Sequence, residues 1–70
     1  MAKWIQFDLC CTLSVGTKLW KVVDKKEGIM IGVVYWYARW RKYVFAPADD
    51  TVFEEDCLRY IAAFCEQATS

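Results

Sequence analysis

Residues 29–37 read Ile-Met-Ile-Gly-Val-Val-Tyr-Trp-Tyr, an uncharged run of β-branched and aromatic side chains. Such side chains pack well on a pleated surface, so the run predicts a strand. It does not alternate. Ile29, Ile31, Val33, Tyr35 and Tyr37 fall on one face, and Met30, Gly32, Val34 and Trp36 on the other. A strand apolar on both faces sits centrally in a sheet and needs two covers. Gly32 within it marks a bulge or a place where a neighbour packs close.

The flanking segments supply the rest of a sheet. Residues 4–14 alternate, with Ile5, Phe7, Leu9 and Cys11 facing one way and Trp4, Gln6, Asp8 and Cys10 the other. Gly16 breaks that strand, and a second runs over 17–23. Asp24-Lys25-Lys26-Glu27-Gly28 suits a hairpin loop. After the 29–37 strand, Ala38-Arg39 form a tight turn and a fourth strand covers 40–46, until Pro47 removes a ladder donor. A helix is predicted over 52–67. Thr51 and Glu54 match a capping box, Glu55 and Asp56 place negative charge on the first turn, and Phe53, Cys57, Ile61, Phe64 and Ala68, flanked by Leu58 and Cys65, form one apolar stripe. The expected fold is α+β: one domain, 1–70, with a three- or four-stranded antiparallel meander packed by a single C-terminal helix. Trp36, Phe45, Phe53, Cys57, Ile61 and Phe64 are expected in its core.

One helix covers one face. Hydrophobic residues are 57% of the chain without counting glycine, against roughly 45–50% with glycine included in ordinary domains. A domain of 70 residues buries only about 60% of its unfolded surface. The excess therefore predicts an exposed apolar patch, Ile31, Val33 and Tyr35, closed by a symmetric homodimer. No apolar run approaches the ~18 residues of a membrane span, and the opening Met1-Ala2-Lys3-Trp4 does not read as a signal peptide. The expected location is cytoplasmic, with the thiols reduced.

Chemistry is sparsely represented. The chain has no histidine, the commonest general base, and no phosphate-loop or nucleophile-elbow motif. No catalytic residue, cofactor or metal is expected. Cys10 and Cys11 are adjacent, which in a regular strand turns their side chains to opposite faces. Cys57 and Cys65 lie about two helical turns apart, roughly 12 Å. Neither pair has the two-to-four-residue spacing of a structural zinc site. Asp49, Asp50, Glu54, Glu55 and Asp56 are explained by helix capping and solvation.

Net charge is +0, which argues against non-specific binding to DNA or anionic membranes. The distribution is uneven: residues 1–48 carry eight Lys/Arg against three acids, and residues 49–70 one Arg against six. The segment Trp36-Tyr37-Ala38-Arg39-Trp40-Arg41-Lys42-Tyr43 mixes aromatic and basic side chains across a hairpin. Trp, Tyr and Arg are the types that dominate protein interfaces, and they also stack on single-stranded nucleic acid. The candidate interaction surface is Ile31, Val33, Tyr35, Tyr37, Arg39, Trp40, Arg41 and Lys42.

The stretch from Ile31 to Pro47, with its Trp-Tyr-x-x-Trp-Arg-x-Tyr hairpin, resembles a group of short bacteriophage and prophage proteins. The resemblance continues through Asp50-Thr51-Val52-Phe53 and Asp56-Cys57-Leu58 into Ile61 and Phe64. Ala38 stands where such proteins often carry Gly, and Tyr35 where they carry a basic residue. The resemblance implies a phage or mobile-element accessory role, and small phage proteins of that kind often bind and inhibit a host protein or sequester a host signalling molecule. The expected function is thus a non-catalytic interaction protein that inhibits a host factor. The alternative is a single-stranded nucleic-acid or nucleotide-binding module built on residues 36–43.

Overall fold

A computed structural model describes residues 4–13 and 16–69. It contains strands β1 (Ile5–Thr12), β2 (Lys18–Asp24), β3 (Ile29–Tyr37) and β4 (Lys42–Pro47), followed by helix α1 (Glu55–Thr69). The strands form one antiparallel meander in the order β1-β2-β3-β4, so β3 is central and β1 and β4 are the edges. The α+β architecture read from the sequence is the one observed. Ser14, the last residue of the expected 4–14 strand, and the Met1–Lys3 opening lie outside the described residues.

Each connection has a local cause. At the 24–28 loop the Asp24 carboxylate accepts the backbone N–H of Lys26 at 2.8 Å and of Glu27 at 3.4 Å, and Gly28 takes a φ of 70°. An Asp that bonds its own following backbone fixes such a turn. The β3–β4 connection is four residues, 38–41, rather than the expected two. The N–H groups of Trp40 and Arg41 donate to the Tyr37 and Ala38 carbonyls, and Arg41 closes the loop with a φ of 53°. Four-residue loops built on a type I turn are a standard hairpin connection. Trp40 and Arg41 are therefore loop residues, not the start of β4.

Cross-strand partners define the sheet's inner face. Phe7 opposes Val22, Val22 opposes Gly32, Trp20 opposes Val34, and Val34 opposes Phe45. Helix α1 packs on this face, and the buried core is Ile5, Val22, Ile31, Val34, Cys57 and Ile61. Phe64 stacks on Phe7 with ring centroids 3.9 Å apart, and meets Trp20 edge-on at 4.9 Å. Phe53 meets Phe45 edge-on at 5.3 Å. The glycine at position 32 has a steric reason: a Cβ there would lie 2.5 Å from the Phe45 ring and 2.6 Å from the Ala46 carbonyl oxygen. Four of the six residues expected at the centre are partly displaced from it. Phe45, Phe53 and Phe64 pack against the core while half-exposed. Trp36 lies at the far end of β3, half-exposed and edge-on to Tyr43, because the helix reaches that end only with its last turn. Leu58, placed beside the apolar stripe by spacing, is 52% exposed.

Two register shifts interrupt the ladders, one between Leu9 and Cys11 against β2, the other between Val22 and Val23 against β3. The second leaves Ile31 without a partner on β2 while its carbonyl accepts the Ala48 N–H from the other side at 2.9 Å. A bulge adds a residue and re-aims the side chains around it.

The helix start also differs from the expected capping box. The chain turns at Asp50 with a φ of 59°, and Thr51 donates its hydroxyl to the Ala48 carbonyl at 2.7 Å, so Thr51 caps nothing. Glu54 is the cap. Its carbonyl accepts the Leu58 N–H, and its carboxylate accepts the Cys57 N–H at 2.6 Å. The Cys57 thiol and backbone N–H both bind that carboxylate and hold its pKa below the ordinary 4.5. Burial, followed by this hydrogen bond, pushes the Cys57 thiol up from 9.0.

Candidate interaction surface

The face of the sheet turned away from α1 carries Val33, Tyr35, Tyr37 and Lys42, and Arg39, Trp40 and Arg41 lie in the adjoining loop. Val33 sits between Lys21 on β2 and Ala46 on β4. Tyr35 opposes Val44, and Tyr37 opposes Lys42. Residues two apart on a strand share a face, and the rings follow that rule. Tyr35 and Tyr37 meet edge-on at 6.4 Å, and Tyr37 meets Trp40 edge-on at 4.9 Å. The result is a row of three rings running along the outer face and over its end into the loop. Trp40 ends the row, 64% exposed.

Ile31 does not belong to this surface. It is buried in the core with Cys57 and Ile61. Strict alternation would put it with Val33, but the β2–β3 register shift falls beside it and turns it inward.

Arg39, Arg41 and Lys42 are exposed around the ring row. Among the described residues no acid bridges them; the ion pairs join Arg59 to Glu55 and Asp56 on the helix. The opposite end of the molecule has an acidic excess: Asp24, Glu27, Asp49 and Asp50 line a shallow cleft with Trp4 and Phe53, against Lys25 and Lys26 exposed in the same loop. The domain measures 33 Å along its long axis and 20 Å across.

Sequence reasoning missed the contributions of β4. Val44 and Ala46 complete the apolar centre of the outer face opposite Tyr35 and Val33. The signal was available in the alternation of Tyr43-Val44-Phe45-Ala46, whose odd members face the helix and whose even members do not. No group of three or more Cys, Asp or Glu residues is placed to hold a metal ion among the described residues. No helix among them is long and apolar enough to cross a membrane. Compared with known proteins, the chain matches no family model, no curated sequence and no solved structure.

Proposed function

We propose that this chain is a non-catalytic interaction module that pairs with a second copy of itself through the outer sheet face. The observation that carries this reading is the Tyr35–Tyr37–Trp40 ring row with Val33, Val44 and Ala46 beside it, on a face that no element among the described residues covers. Contiguous apolar surface that its own chain leaves partly open marks an interface. Charge favours a second copy as the occupant. A two-fold pairing with the long axes antiparallel sets the Arg39–Arg41–Lys42 end of each protomer beside the Asp24–Glu27–Asp49 end of the other. Such contacts are isologous, so the assembly stops at two. Charge complementarity of this type orients association more than it tightens it.

The cellular role that goes with this module is that of a small phage or mobile-element accessory protein that binds and inhibits a host protein in the cytoplasm. That part rests on the resemblance of residues 31–64 and on the interface-type side chains of the hairpin. A single-stranded nucleic-acid platform is the second reading, supported by Trp40 standing exposed between two arginines.

Light scattering after size exclusion tests the first reading. The chain is expected to run at twice its 8.2 kDa mass, and Val33→Glu and Tyr35→Glu to run as folded monomers. A wild-type monomer at all concentrations overturns the pairing. Binding of single strands that weakens steeply with salt, and that is lost in Trp40→Ala, selects the second reading.

A further inference from the structure

We infer that Cys10 and Cys11 form a chelating dithiol, a site for soft metals or metalloids that bond two sulfurs at once. Adjacent residues of a regular strand point to opposite faces. The register of β1 against β2 breaks that rule at this point. Asp8 opposes Lys21 and Leu9 opposes Trp20, then Cys11 opposes Leu19, with Cys10 inserted between. Cys10 continues the alternation of Gln6 and Asp8 on the outer face. Cys11 is the partner of Leu19, whose strand neighbour Trp20 lies on the inner face against Phe64, so Cys11 is on the outer face as well. In a bulge of this form two residues oppose one, and here both are cysteines.

The two thiols are free and exposed. Partial desolvation, followed by the neighbouring Cys10 thiol, pushes the Cys11 thiol up from its ordinary 9.0. The other two cysteines are not alternatives. Cys57 is buried under the sheet and bonded to Glu54, and Cys65 sits on the helix, on the inner side. Asp8 is already bound by the Gln6 amide.

The donor set selects the class of ligand. Thiolates prefer soft centres. Zinc asks for four ligands, and the described residues gather no third Cys, Asp or Glu here while the chain has no histidine. A centre satisfied by two sulfurs remains. A trivalent organoarsenical is the simplest example. Its As=O bond breaks, the oxygen takes up both thiol protons and leaves as water, two As–S bonds form, and arsenic stays trivalent, so no oxidant or reductant is required. The site lies on the same outer face as the ring row, two strands, roughly 10 Å, from β3.

Phenylarsine oxide added to the reduced full chain tests this. Intact mass is expected to show one phenylarsenic group per chain that withstands excess glutathione and leaves on adding dithiothreitol. Cys10→Ser and Cys11→Ser are each expected to lose it, and Cys65→Ser to keep it. The adduct is also expected to raise the unfolding midpoint, because a ligand of the folded state stabilises that state. No adduct on the native chain, or one that persists in Cys10→Ser, overturns the inference. So does an adduct that lowers the midpoint, which would place chelation in the unfolded chain.

Discussion

The two faces of this sheet are built from similar side chains and live in different surroundings. On the inner face Val22 and Val34 are completely buried, and Phe7, Trp20 and Phe45 lock into rings from the helix and its lead-in. On the outer face Val33, Tyr35 and Tyr37 are only partly buried. The residues do not differ in kind; the chain has one helix to spend and places it on one side. The inner face is therefore where this domain's stability resides, and the outer face is where its surplus apolar surface is displayed.

The sharpest way to break that comparison is to cut the inner face. Ile61→Ala removes a side chain that is 3% exposed at the centre of the core. A loss of about 3 kcal/mol is expected, read from the urea midpoint of the monomeric Tyr35→Glu background, while Val33→Ala on the outer face of that background shifts it little. Equal losses at both sites would mean the outer face is already covered within one chain.

A smaller effect is expected from Gly32→Ala. The added methyl meets the Phe45 ring and the Ala46 carbonyl, and the carbonyl is backbone that has little room to give. Overpacking of this kind costs roughly 2 kcal/mol. The inner face should loosen without change in the outer one, so the oligomeric state is expected to persist at low denaturant.

Glu54→Ala removes the helix cap and is expected to lower the midpoint further down the scale. The pH dependence distinguishes capping from packing. Because the native carboxylate titrates below its ordinary 4.5, its contribution is present above that pH and disappears as pH falls through the native value. Wild type and Glu54→Ala should therefore converge in acid and differ at neutral pH. Parallel curves throughout would sink the capping assignment.

The smallest shift is expected at Arg41, on the outer hairpin. Its φ of 53° strains a side-chain-bearing residue and suits glycine. Arg41→Gly is expected to raise the midpoint slightly, by about 0.5 kcal/mol, while weakening dimerisation at low salt. A stabilised variant with unchanged dimerisation would remove Arg41 from the interface.

Much of this was legible in the residues. The bounds of β3 follow from its composition, and Asp24 through Gly28 announce their turn. Gly32 flags a close neighbour, which proves to be Phe45. The helix stripe picks out Cys57 and Ile61. The failures share a cause. Ile31 and Cys11 follow a count along one strand, and the register shifts at Cys10 and Ile31 depend on two strands at once; the exposure of Trp36 likewise depends on where the helix ends. Thr51 satisfies the local pattern of a cap. Whether it acts as one depends on the direction of chain entry, which the positive φ at Asp50 sets. The outer surface was found in outline because aromatic and basic residues cluster in one hairpin. Its β4 half was missed because Val44 and Ala46 are small and ordinary.

The hydrogen-bond parity of the edges limits how far this sheet can extend. On β4 the outward-facing positions are Tyr43, Phe45 and Pro47. The N–H of Tyr43 is taken by the Thr69 hydroxyl at 3.1 Å, and proline has none, so Phe45 offers a lone donor. On β1 the Lys25 N–H bonds the Trp4 carbonyl at 2.7 Å, which in this register leaves the backbone of Ile5, Phe7 and Leu9 facing outward. The extra residue at Cys10 then ends that open stretch. Among the described residues an incoming strand has one short docking site on β1 and, on the far edge, the single donor of Phe45. Unguarded edges are how β proteins nucleate fibrils. This domain, apolar as it is, is built to terminate such a chain rather than to propagate it.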